Sequence, residues 1–266
     1  MKNNFYVIFT DLDGTLLDEH TYQCSDVARQ VISELVQKRV PLIPVSSKTR
    51  AEVEVLRAEL GLADSFIVEN GSGIFIPGDD PWLTSRRNTC VTFGGDYTVV
   101  RQKLALIAMQ TNTELRGFGD MTVDEIRMRT GLGQDAQLSA QRQFSEPFLI
   151  PSGANIPAIV QAARLEGMVV LKGDRFFHLL PVEVNKGRAL TYITGLYREV
   201  IKDRPVVAVA LGNSHNDLDM LKAAQIAIAI PSDQQSHLPL LQLAHVHIAT
   251  QPGSEGWAQS VREILF

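Results

Sequence analysis

A short apolar run near the start of the chain gives way abruptly to charged residues. Residues 5–10 have the sequence FYVIFT, which is long enough for a buried strand and too short for a helix, since helices usually need ten or more residues. Gly14 then allows the backbone to turn sharply. After the capping residue Ser25, apolar residues return at helical spacing up to Lys38: Val27, Val31, Ile32, Leu35 and Val36. The pattern predicts a strand followed by an amphipathic helix.

The same alternation continues along the following residues. Residues 40–45 form a second apolar run; its two prolines remove ladder donors, but its length and β-branched residues favour a strand. Thr49 and Glu52 form a capping-box pattern for a helix that Gly61 would end, and residues 66–69 form a third short run. Strands that alternate with helices through short loops predict a parallel sheet with right-handed crossovers.

The order of elements changes between about Trp82 and Leu180. Helices and short apolar runs mix there: helices over 96–110 and 122–130, strands over 114–118 and 169–172, and a hairpin partner over 175–179. The first pattern then resumes with a helix over 186–200, an apolar strand over 206–211, a helix around Met220, a strand over 226–230 and a closing helix over 257–265. The predicted fold class is α/β: a doubly wound, Rossmann-like parallel sheet of residues 1–82 and 182–266, with an inserted α+β domain of residues 83–181.

Composition and charge narrow the possible functions. A formal net charge of −5 and a pI near 5.7 argue against a nucleic-acid partner, because such partners usually require a basic surface. No apolar run approaches the ~18 residues of a membrane span, and no leader precedes the first strand. Cys24 and Cys90 form no CxxC pair, which suits packed thiols in a reducing compartment. We therefore expect a cytoplasmic protein with no membrane partner; its oligomeric state is unknown.

Two carboxylates follow the first predicted strand. Asp11 and Asp13 would repel each other if buried, so their spacing indicates Mg²⁺ or shared-proton chemistry. An ordinary solvated Asp-Gly turn explains the same residues equally well. An EF-hand loop is excluded, because its twelfth position counted from Asp11 holds Tyr22 instead of the required Glu. Ser46 and Asn70 follow the next two predicted strands, and ligands bind beyond the carboxyl ends of strands in such sheets.

Residues 11–17, DLDGTLL, resemble the first motif of the haloacid dehalogenase (HAD) superfamily of phosphohydrolases. The resemblance implies that Asp11 is the nucleophile that takes the phosphoryl group and that Asp13 is the general acid and base. Ser46 resembles the second-motif residue that hydrogen-bonds a phosphoryl oxygen, and Lys186 resembles the third-motif lysine that pairs with the nucleophile and the phosphate. Taken alone, Ser46 is more often a helix cap and Lys186 a solvated surface charge.

The fourth motif departs from the superfamily pattern at one position. Residues 212–217, GNSHND, resemble Gly-Asp-x-x-Asn-Asp, whose acids hold Mg²⁺, but Asn213 replaces the first acid. An amide oxygen still ligates Mg²⁺, although the loss of a negative charge is expected to weaken binding. The resemblance implies Mg²⁺ as cofactor, held by Asp11, Asp13, Asn213 and Asp217. A Gly-Asn turn that caps the next helix is the structural alternative.

An insertion between the second and third motifs corresponds to the superfamily's cap, which closes over the leaving group, and its α+β pattern resembles the C2B-type cap of the sugar-phosphatase subgroup. Further stretches resemble the family of mannosyl-3-phosphoglycerate phosphatases: residues 47–49, 66–71, 117–122, 130–132, 173–178 and 253–257. This resemblance implies a small phosphorylated sugar as partner, and in particular mannosyl-3-phosphoglycerate, whose dephosphorylation yields the compatible solute mannosylglycerate.

A substrate with a phosphate and a carboxylate favours Arg and Lys side chains as partners. Arg142, Lys172 and Arg175 would supply them, and each of the three is equally an ordinary surface charge. The remaining substrate-binding candidates adjoin the second-motif serine or carry polar groups suited to sugar hydroxyls: Ser47, Lys48, Glu69, Asn70, Asp120 and His178. For His178, a half-buried strand histidine with no ligand is an equally good interpretation.

Other functions remain open on the sequence alone. Caps of this type are reused, so glucosyl-3-phosphoglycerate, sucrose 6-phosphate, a hexose phosphate or a phosphosugar mutase reaction fits the same core. Asn213 suggests a pseudo-enzyme that only binds a phosphosugar, although the intact Asp11 and Asp13 speak against it. A signalling receiver domain shares the acidic pocket and the doubly wound sheet, but it would be much shorter and uninterrupted.

Overall fold

The computed structural model of the chain describes residues 4–173, 175–232 and 245–265. Within these ranges the strands are β1 (Phe5–Thr10), β2 (Leu42–Pro44), β3 (Phe66–Val68), β4 (Gly73–Ile76), β5 (Thr89–Thr92), β6 (Arg116–Gly117), β7 (Glu146–Leu149), β8 (Met168–Lys172), β9 (Phe177–Pro181), β10 (Val206–Gly212), β11 (Ile226–Ala229) and β12 (Val246–Ile248). The α-helices are α1 (Asp26–Lys38), α2 (Arg50–Leu60), α3 (Tyr97–Thr111), α4 (Val123–Thr130), α5 (Ala136–Ser139), α6 (Ile156–Leu165), α7 (Lys186–Val200), α8 (Leu218–Ala223) and α9 (Gly253–Leu265). None of the helices in the described ranges is long and apolar enough to cross a membrane.

Five parallel strands form the central sheet, in the order β12-β11-β10-β1-β2. β1 lies between β10 and β2, and its register with β10 runs from Phe5 opposite Val206 to Thr10 opposite Leu211. Both faces of a central parallel strand are covered by helices, so β1 and β10 carry continuous apolar runs instead of an alternating pattern. This sheet, with the cap inserted into it, confirms the predicted fold class.

Helices cover the two faces of the central sheet. Because successive residues of a strand point to opposite faces, Ile8 packs into the layer that contains Ile32 of α1 and Trp257 of α9. Phe9 packs into the opposite layer, with Tyr197 of α7 and residues of α8. Burial of a large apolar side chain stabilises the fold by roughly 1.5–3 kcal/mol. The two layers together fix the sheet whose edge carries the site.

The helix that follows β2 begins and ends as the sequence predicts. The Thr49 side chain accepts a hydrogen bond from the Glu52 N–H, and the Glu52 carboxylate accepts one from the Thr49 N–H at 2.8 Å. Gly61 ends the helix in the left-handed conformation, with φ of +66°. Both ends of α2 are thus set by local sequence, which fixes the loop of residues 45–49 between β2 and the helix.

The inserted cap is built on a four-stranded antiparallel sheet in the order β6-β7-β9-β8. β8 and β9 form the predicted hairpin, with Lys172 opposite Phe177. Helices α3 and α6 cover the sheet and bury Ile107 and Ile159 against Phe148 of β7. Neither β7 nor α6 is among the predicted elements. β7 has only four residues and contains a proline, whereas α6 carries a helical apolar pattern that could have been found.

β3 differs from its prediction as a strand of the parallel sheet. It pairs antiparallel with β4, which pairs with β5, in a separate three-stranded sheet. An isolated bridge between Val45 and Ile67 connects it to the central strands. Glu69, Asn70 and Gly71 all have positive φ, which reverses the chain after β3. Asn and Gly adopt positive φ more readily than other residues, so Asn70 and Gly71 carried a signal for this turn, whereas Glu69 did not.

Two further differences concern the C-terminal part of the chain and the cap boundary. β12 was not predicted, and α9 begins at Gly253 instead of residue 257. β5 follows the predicted boundary between residues 82 and 83, yet it pairs with β4, which precedes that boundary. The domain boundaries themselves stay a prediction.

A buried carboxyl group, that of Asp64, stabilises the amino-terminal end of β2 in the central sheet. Asp64 Oδ2 accepts a hydrogen bond from the N–H of Leu42, the first residue of β2, at 3.1 Å. Burial raises the pKa of Asp64 to about 7; the Leu42 N–H opposes this rise, and nearby Asp80 adds to it. The folded protein therefore binds a proton here that the unfolded chain releases near pH 4. Stability from this group is present at low pH and is lost as the pH rises from about 4 to about 7.

Asp64→Asn should remove this part of the pH dependence, because the amide keeps an acceptor for Leu42 but does not titrate. Between pH 5 and pH 8 we expect the free energy of unfolding of the wild type to fall by about 2 kcal/mol more than that of the variant. Urea denaturation at the two pH values measures the difference. Asp203→Asn, at an exposed position, is the control and should follow the wild type. Equal pH slopes for Asp64→Asn and the wild type would contradict the assignment.

Candidate active site

The carboxyl edge of the central sheet gathers the predicted catalytic residues. Asp11 directly follows β1, and its N–H donates to the Leu211 carbonyl of β10 at 2.9 Å. Ser46 lies just beyond β2, Asp217 follows β10, and Lys186 is the first residue of α7. Four separate stretches of the chain therefore meet at one edge, as expected for a parallel sheet.

A buried ammonium group lies between two buried carboxylates. Lys186 Nζ donates to Asp11 Oδ1 at 2.6 Å and to Asp217 Oδ1 at 2.6 Å. The side chains of Lys186 and Asp217 are both 0% exposed, and that of Asp11 is 9% exposed. Charges buried to this extent persist only when they are paired at good geometry. Lys186 is thus a buried partner of the acids and not a solvated surface charge.

For each of Asp11 and Lys186, burial and the nearby opposite charges shift the pKa in opposite directions. Burial and the neighbouring Asp217 raise the pKa of Asp11 to about 7, against the lowering influence of Lys186. Burial alone would lower the pKa of Lys186, but Asp11 and Asp217 outweigh it and raise that pKa above its usual range. Lys186 therefore stays charged, and the nucleophile candidate lies in a site that is short of positive charge.

Asp217 is held by the turn that precedes it. Its Oδ2 accepts hydrogen bonds from the Asn213 N–H at 3.1 Å and from the Ser214 N–H at 3.0 Å, with the Ser214 hydroxyl at 3.2 Å. Gly212 makes this close approach possible, because a Cβ there would lie 2.6 Å from the Cβ of Asp217. Both carboxylate oxygens of Asp217 are thus engaged by the protein, and its predicted metal-ligand role stays a prediction.

Asp13 forms an ion pair with a lysine of the second-motif loop. Lys48 Nζ lies 2.9 Å from Asp13 Oδ2, and its side chain is only 14% exposed. Asp13 Oδ1 is buried and has no hydrogen-bond partner among the described residues. Asn213 reaches the same place, since its Nδ2 donates to the Asp13 backbone carbonyl at 3.2 Å.

The residues around Asp13 fit a hard cation by their chemistry. Asp11, Asp13 and Asp217 place three carboxyl groups beside the ammonium groups of Lys48 and Lys186, which gives a formal net charge of −1 when all five groups are ionised. In the part of the chain that the structure describes, no group of three or more His, Cys, Asp or Glu side chains encloses a metal position. The unpaired Oδ1 of Asp13 nevertheless offers a carboxylate oxygen, the kind of ligand that Mg²⁺ prefers.

Ser46 is buried and faces the same edge. Its Oγ accepts a hydrogen bond from the Lys48 N–H at 3.1 Å, which leaves the hydroxyl hydrogen available as a donor. Its carbonyl accepts from the Asn70 N–H at 2.9 Å, and Asn216 Nδ2 donates to Asn70 Oδ1 at 3.2 Å. Asn70 thereby connects the second-motif loop with the fourth-motif turn. A sugar contact for Asn70 stays a prediction.

Glu69 joins the core to the cap. Its buried carboxylate accepts hydrogen bonds from the N–H groups of Gln143, Phe144 and Ser145 at 2.8–3.2 Å, and from the Ser145 hydroxyl at 2.8 Å. On the core side, the Glu69 N–H donates to the Lys48 carbonyl at 3.0 Å. The side chain therefore anchors a cap segment, which the sequence did not indicate; its predicted contact with substrate stays a prediction.

A cavity of about 140 Å³ lies between the core and the cap beside Asp13. Six of the predicted site residues line it: Asp13, Ser47, Lys48, Arg142, Arg175 and His178. Arg142 donates to the carbonyls of Ser47 at 2.7 Å and Ser139 at 3.1 Å, and so connects cap to core. Burial, followed by the charge of Arg142, lowers the pKa of His178 to about 3, which keeps its imidazole neutral.

Four of the nine predicted substrate-binding residues do not line this cavity: Glu69 and Asn70, described above, and Asp120 and Lys172. Asp120 accepts a hydrogen bond from the Gly117 N–H at 3.0 Å and is paired with Arg101. Lys172 is an exposed residue at the end of β8. Their contacts with substrate stay predictions.

Two polar residues of the site were not predicted. Thr15 donates its hydroxyl to Asp11 Oδ2 at 3.3 Å, and Asn216 donates to Asn70. Both lie within the first and fourth motifs, so their position in those motifs was the available signal.

Comparisons with known proteins agree with this geometry. A family model described as haloacid dehalogenase-like hydrolase matches residues 8–85, and one described as sucrose-6F-phosphate phosphohydrolase matches residues 145–263. A solved haloacid dehalogenase-like hydrolase from Bacteroides thetaiotaomicron superposes with a TM-score of 0.71, over 98% of this chain and 100% of that one, at 18% identity. Fold and site together define a phosphatase of the HAD superfamily, whose members generally depend on Mg²⁺.

Two relatives give a narrower assignment. The glucosyl-3-phosphoglycerate/mannosyl-3-phosphoglycerate phosphatase of Persephonella marina is 38% identical over 265 residues, covering 97% of both chains. The protein of the same description from Methanococcoides burtonii is 35% identical over 268 residues, covering 98% of this chain and 97% of its own. The chain belongs to this family of glucosyl-3-phosphoglycerate/mannosyl-3-phosphoglycerate phosphatases, which confirms the predicted resemblance.

Lys186→Met should destabilise the protein strongly, because it leaves Asp11 and Asp217 buried without their shared ammonium group. We expect the free energy of unfolding at pH 7 to fall by about 3–5 kcal/mol, and the deficit to shrink at pH 5, where protonation neutralises Asp11, whose pKa burial raises to about 7 even beside Lys186. Urea denaturation at both pH values measures this. The exposed Lys202→Met is the matched control. If both variants are equally stable at pH 7, Lys186 does not neutralise the two acids.

Proposed function

We propose that the chain is a Mg²⁺-dependent phosphatase that hydrolyses mannosyl- or glucosyl-3-phosphoglycerate to the glycosylglycerate and inorganic phosphate. The observation that carries the proposal is the buried Lys186 at 2.6 Å from Asp11, at a strand end, in a chain 38% identical to a phosphatase described by both substrates. A cytoplasmic location is part of the same proposal.

In the first half of the reaction, an Asp11 carboxylate oxygen attacks the phosphorus. The bond from phosphorus to the leaving oxygen breaks, Asp13 donates a proton to that oxygen, and an aspartyl phosphate forms. In the second half, a water attacks the phosphorus and gives its proton to Asp13. The bond between Asp11 and phosphorus breaks, inorganic phosphate leaves, and both acids return to their starting protonation states.

The other residues of the edge support these two steps. Lys186 offsets negative charge beside the attacking carboxylate, and the Ser46 hydroxyl donates to a phosphoryl oxygen. Asp11, Asp13, Asn213 and Asp217 would hold Mg²⁺, which when bound offsets the charge on the phosphoryl oxygens.

The remaining substrate contacts are assigned to the cavity between core and cap. Ser47, Lys48, Arg142, Arg175 and His178 line this cavity, so three cationic side chains lie where a leaving group with a carboxylate would lie. The neutral imidazole of His178 suits a sugar hydroxyl better than an anion.

Sucrose 6-phosphate is the second candidate substrate. The family model described as sucrose-6F-phosphate phosphohydrolase matches residues 145–263, which contain part of the cap together with Lys186 and Asp217. The near full-length relatives favour the glycosyl phosphoglycerates over it.

Phosphate release distinguishes these candidates. We expect the kcat/KM for mannosyl- or glucosyl-3-phosphoglycerate to exceed that for sucrose 6-phosphate and for free 3-phosphoglycerate by about a hundredfold, or roughly 2.7 kcal/mol of transition-state binding. Release should require Mg²⁺ and stop in EDTA. Asp11→Asn should reduce turnover of every substrate by roughly a thousandfold or more, because the nucleophile is gone.

Each outcome of this assay has a separate meaning. Slow and equal hydrolysis of all four compounds would contradict the substrate assignment. Unchanged turnover in Asp11→Asn would contradict the aspartyl-phosphate mechanism. A lack of metal-dependent release from any of them would favour a phosphosugar-binding protein.

Asn213→Asp tests the proposed metal site without an activity readout. The added charge should make Mg²⁺ bind several-fold more tightly in titration calorimetry, because carboxylates bind this cation better than amides do. Asn155→Asp is the control, since it adds the same charge at the N-terminus of α6 in the cap, where Asp caps a helix as well as Asn does. If both variants bind Mg²⁺ like the wild type, Asn213 is not a ligand.

A further inference from the structure

The pairing between Lys48 and Asp13 has a consequence for substrate selection. Lys48 lies in the loop between β2 and α2, where its N–H donates to Ser46 Oγ and its carbonyl accepts from Glu69. Its ammonium group is 5.5 Å from the centre of the Tyr22 ring and 2.9 Å from Asp13 Oδ2. Its backbone is therefore fixed while its side chain reaches into the cavity between core and cap.

An ammonium group has three N–H donors. One of those of Lys48 reaches Asp13, and the group borders the cavity that would receive the leaving group. A buried ammonium keeps a carboxylate close unless another anion replaces it, because separation would leave the Lys48 ammonium, whose side chain is only 14% exposed, without its closest anion. Asp13 therefore separates from Lys48 only when an incoming anion takes its place beside the ammonium group.

The other two cationic side chains of the cavity, Arg142 and Arg175, are hydrogen-bonded to backbone carbonyls. Arg142 donates to the carbonyls of Ser47 and Ser139, and its guanidinium lies 5.7 Å from the centre of the Phe118 ring. Arg175 donates to the Thr130 carbonyl. Lys48 differs from them, because its hydrogen-bonding partner is a carboxylate that is itself proposed to take part in the reaction.

The leaving group of the proposed reaction supplies a suitable anion. In a glycosyl-3-phosphoglycerate, a carboxylate is two carbons away from the oxygen that leaves phosphorus, so it enters the cavity together with the bond that breaks. Asp13 is the residue that must face that same oxygen. The ammonium group of Lys48 is therefore next to both the Asp13 carboxylate and the carboxylate of the leaving group during the reaction.

We propose that Lys48 is the residue that determines specificity for an anionic leaving group: its ammonium binds the leaving group's carboxylate and in exchange releases Asp13. Once the ammonium no longer faces it, Asp13 takes a proton from solvent and can donate that proton to the leaving oxygen. The inference rests on the proposed function and deepens it. A phosphomonoester with no carboxylate leaves the pair of Lys48 and Asp13 in place and is turned over slowly.

The surroundings of Lys48 leave room for the rest of the leaving group. A second cavity, of about 350 Å³, lies between α2 and the cap segment of residues 131–138. It shares Tyr22, Lys48, Glu52 and Leu132 with the first cavity. Lys48 is thus at the junction of the two cavities, where it would meet the carboxylate of a leaving group that carries its glycosyl group on the adjacent carbon.

The test compares two substrates that differ only in the carboxylate. Mannosyl-3-phosphoglycerate is compared with the matched compound in which a hydroxymethyl group replaces the carboxylate. The wild type should prefer the carboxylate substrate by about a hundredfold in kcat/KM. In Lys48→Met that preference should fall to less than about fivefold. The carboxylate substrate should show both a lower kcat and a higher KM in this variant. Lys48→Arg keeps the charge and should keep part of the preference, whereas the exposed Lys222→Met should behave as wild type.

Each other result overturns the inference in a recognisable way. An equal loss on both substrates in Lys48→Met would show that Lys48 only positions Asp13. Equal turnover of both substrates by the wild type would exclude carboxylate recognition even if the Lys48 variants fail to fold. If the wild type hydrolyses neither substrate, the proposed function itself is wrong, which is a different outcome from a loss of preference.

Discussion

The site depends on one buried positive charge that two buried negative charges share. Asp11 comes from the end of β1 and Asp217 from the turn after β10, and neither would be stable in the interior without Lys186 between them. Helix propensity does not explain the lysine, because a cation at the first residue of a helix faces the positive end of the helix dipole. The Asn185 side chain caps α7 by accepting a hydrogen bond from the Arg188 N–H, and the two carboxylates offset the unfavourable position of Lys186.

Close backbone approach is the second constraint on the site. Gly71 lies so near the turn before α7 that a Cβ there would be 2.3 Å from the Asn185 carbonyl oxygen. Gly14 has φ of +73° and would place a Cβ 2.2 Å from Asn213 Nδ2. Gly14 thus lets the first motif contact the fourth, and Gly71 lets the turn after β3 contact the third. The charged groups can then meet at hydrogen-bonding distance and not through intervening side chains.

The sequence predicted those parts of the fold and site that local signals determine. Thr49, Glu52 and Gly61 delimit α2 by themselves, and Asp11 and Lys186 belong to motifs at predicted element ends. The anchor at Glu69 escaped prediction because its partners lie 74 to 76 residues further along the chain. The placement of β3 depends likewise on pairing with β4 and on positive φ at Glu69, a residue type that seldom adopts it. No local pattern encodes such contacts.

The anchor at Glu69 limits how far the cap can be treated as an exchangeable module. A cap transplanted from a relative would have to present three backbone N–H groups to this carboxylate, as residues 143–145 do here. Glu69 and Asn70 also hold the carbonyls of Lys48 and Ser46. A mismatched graft would therefore disturb the catalytic loop of the core as well as substrate selection. Evolution of new specificities on this scaffold is then expected to proceed by changing side chains that line the cavity while the docking segment is retained.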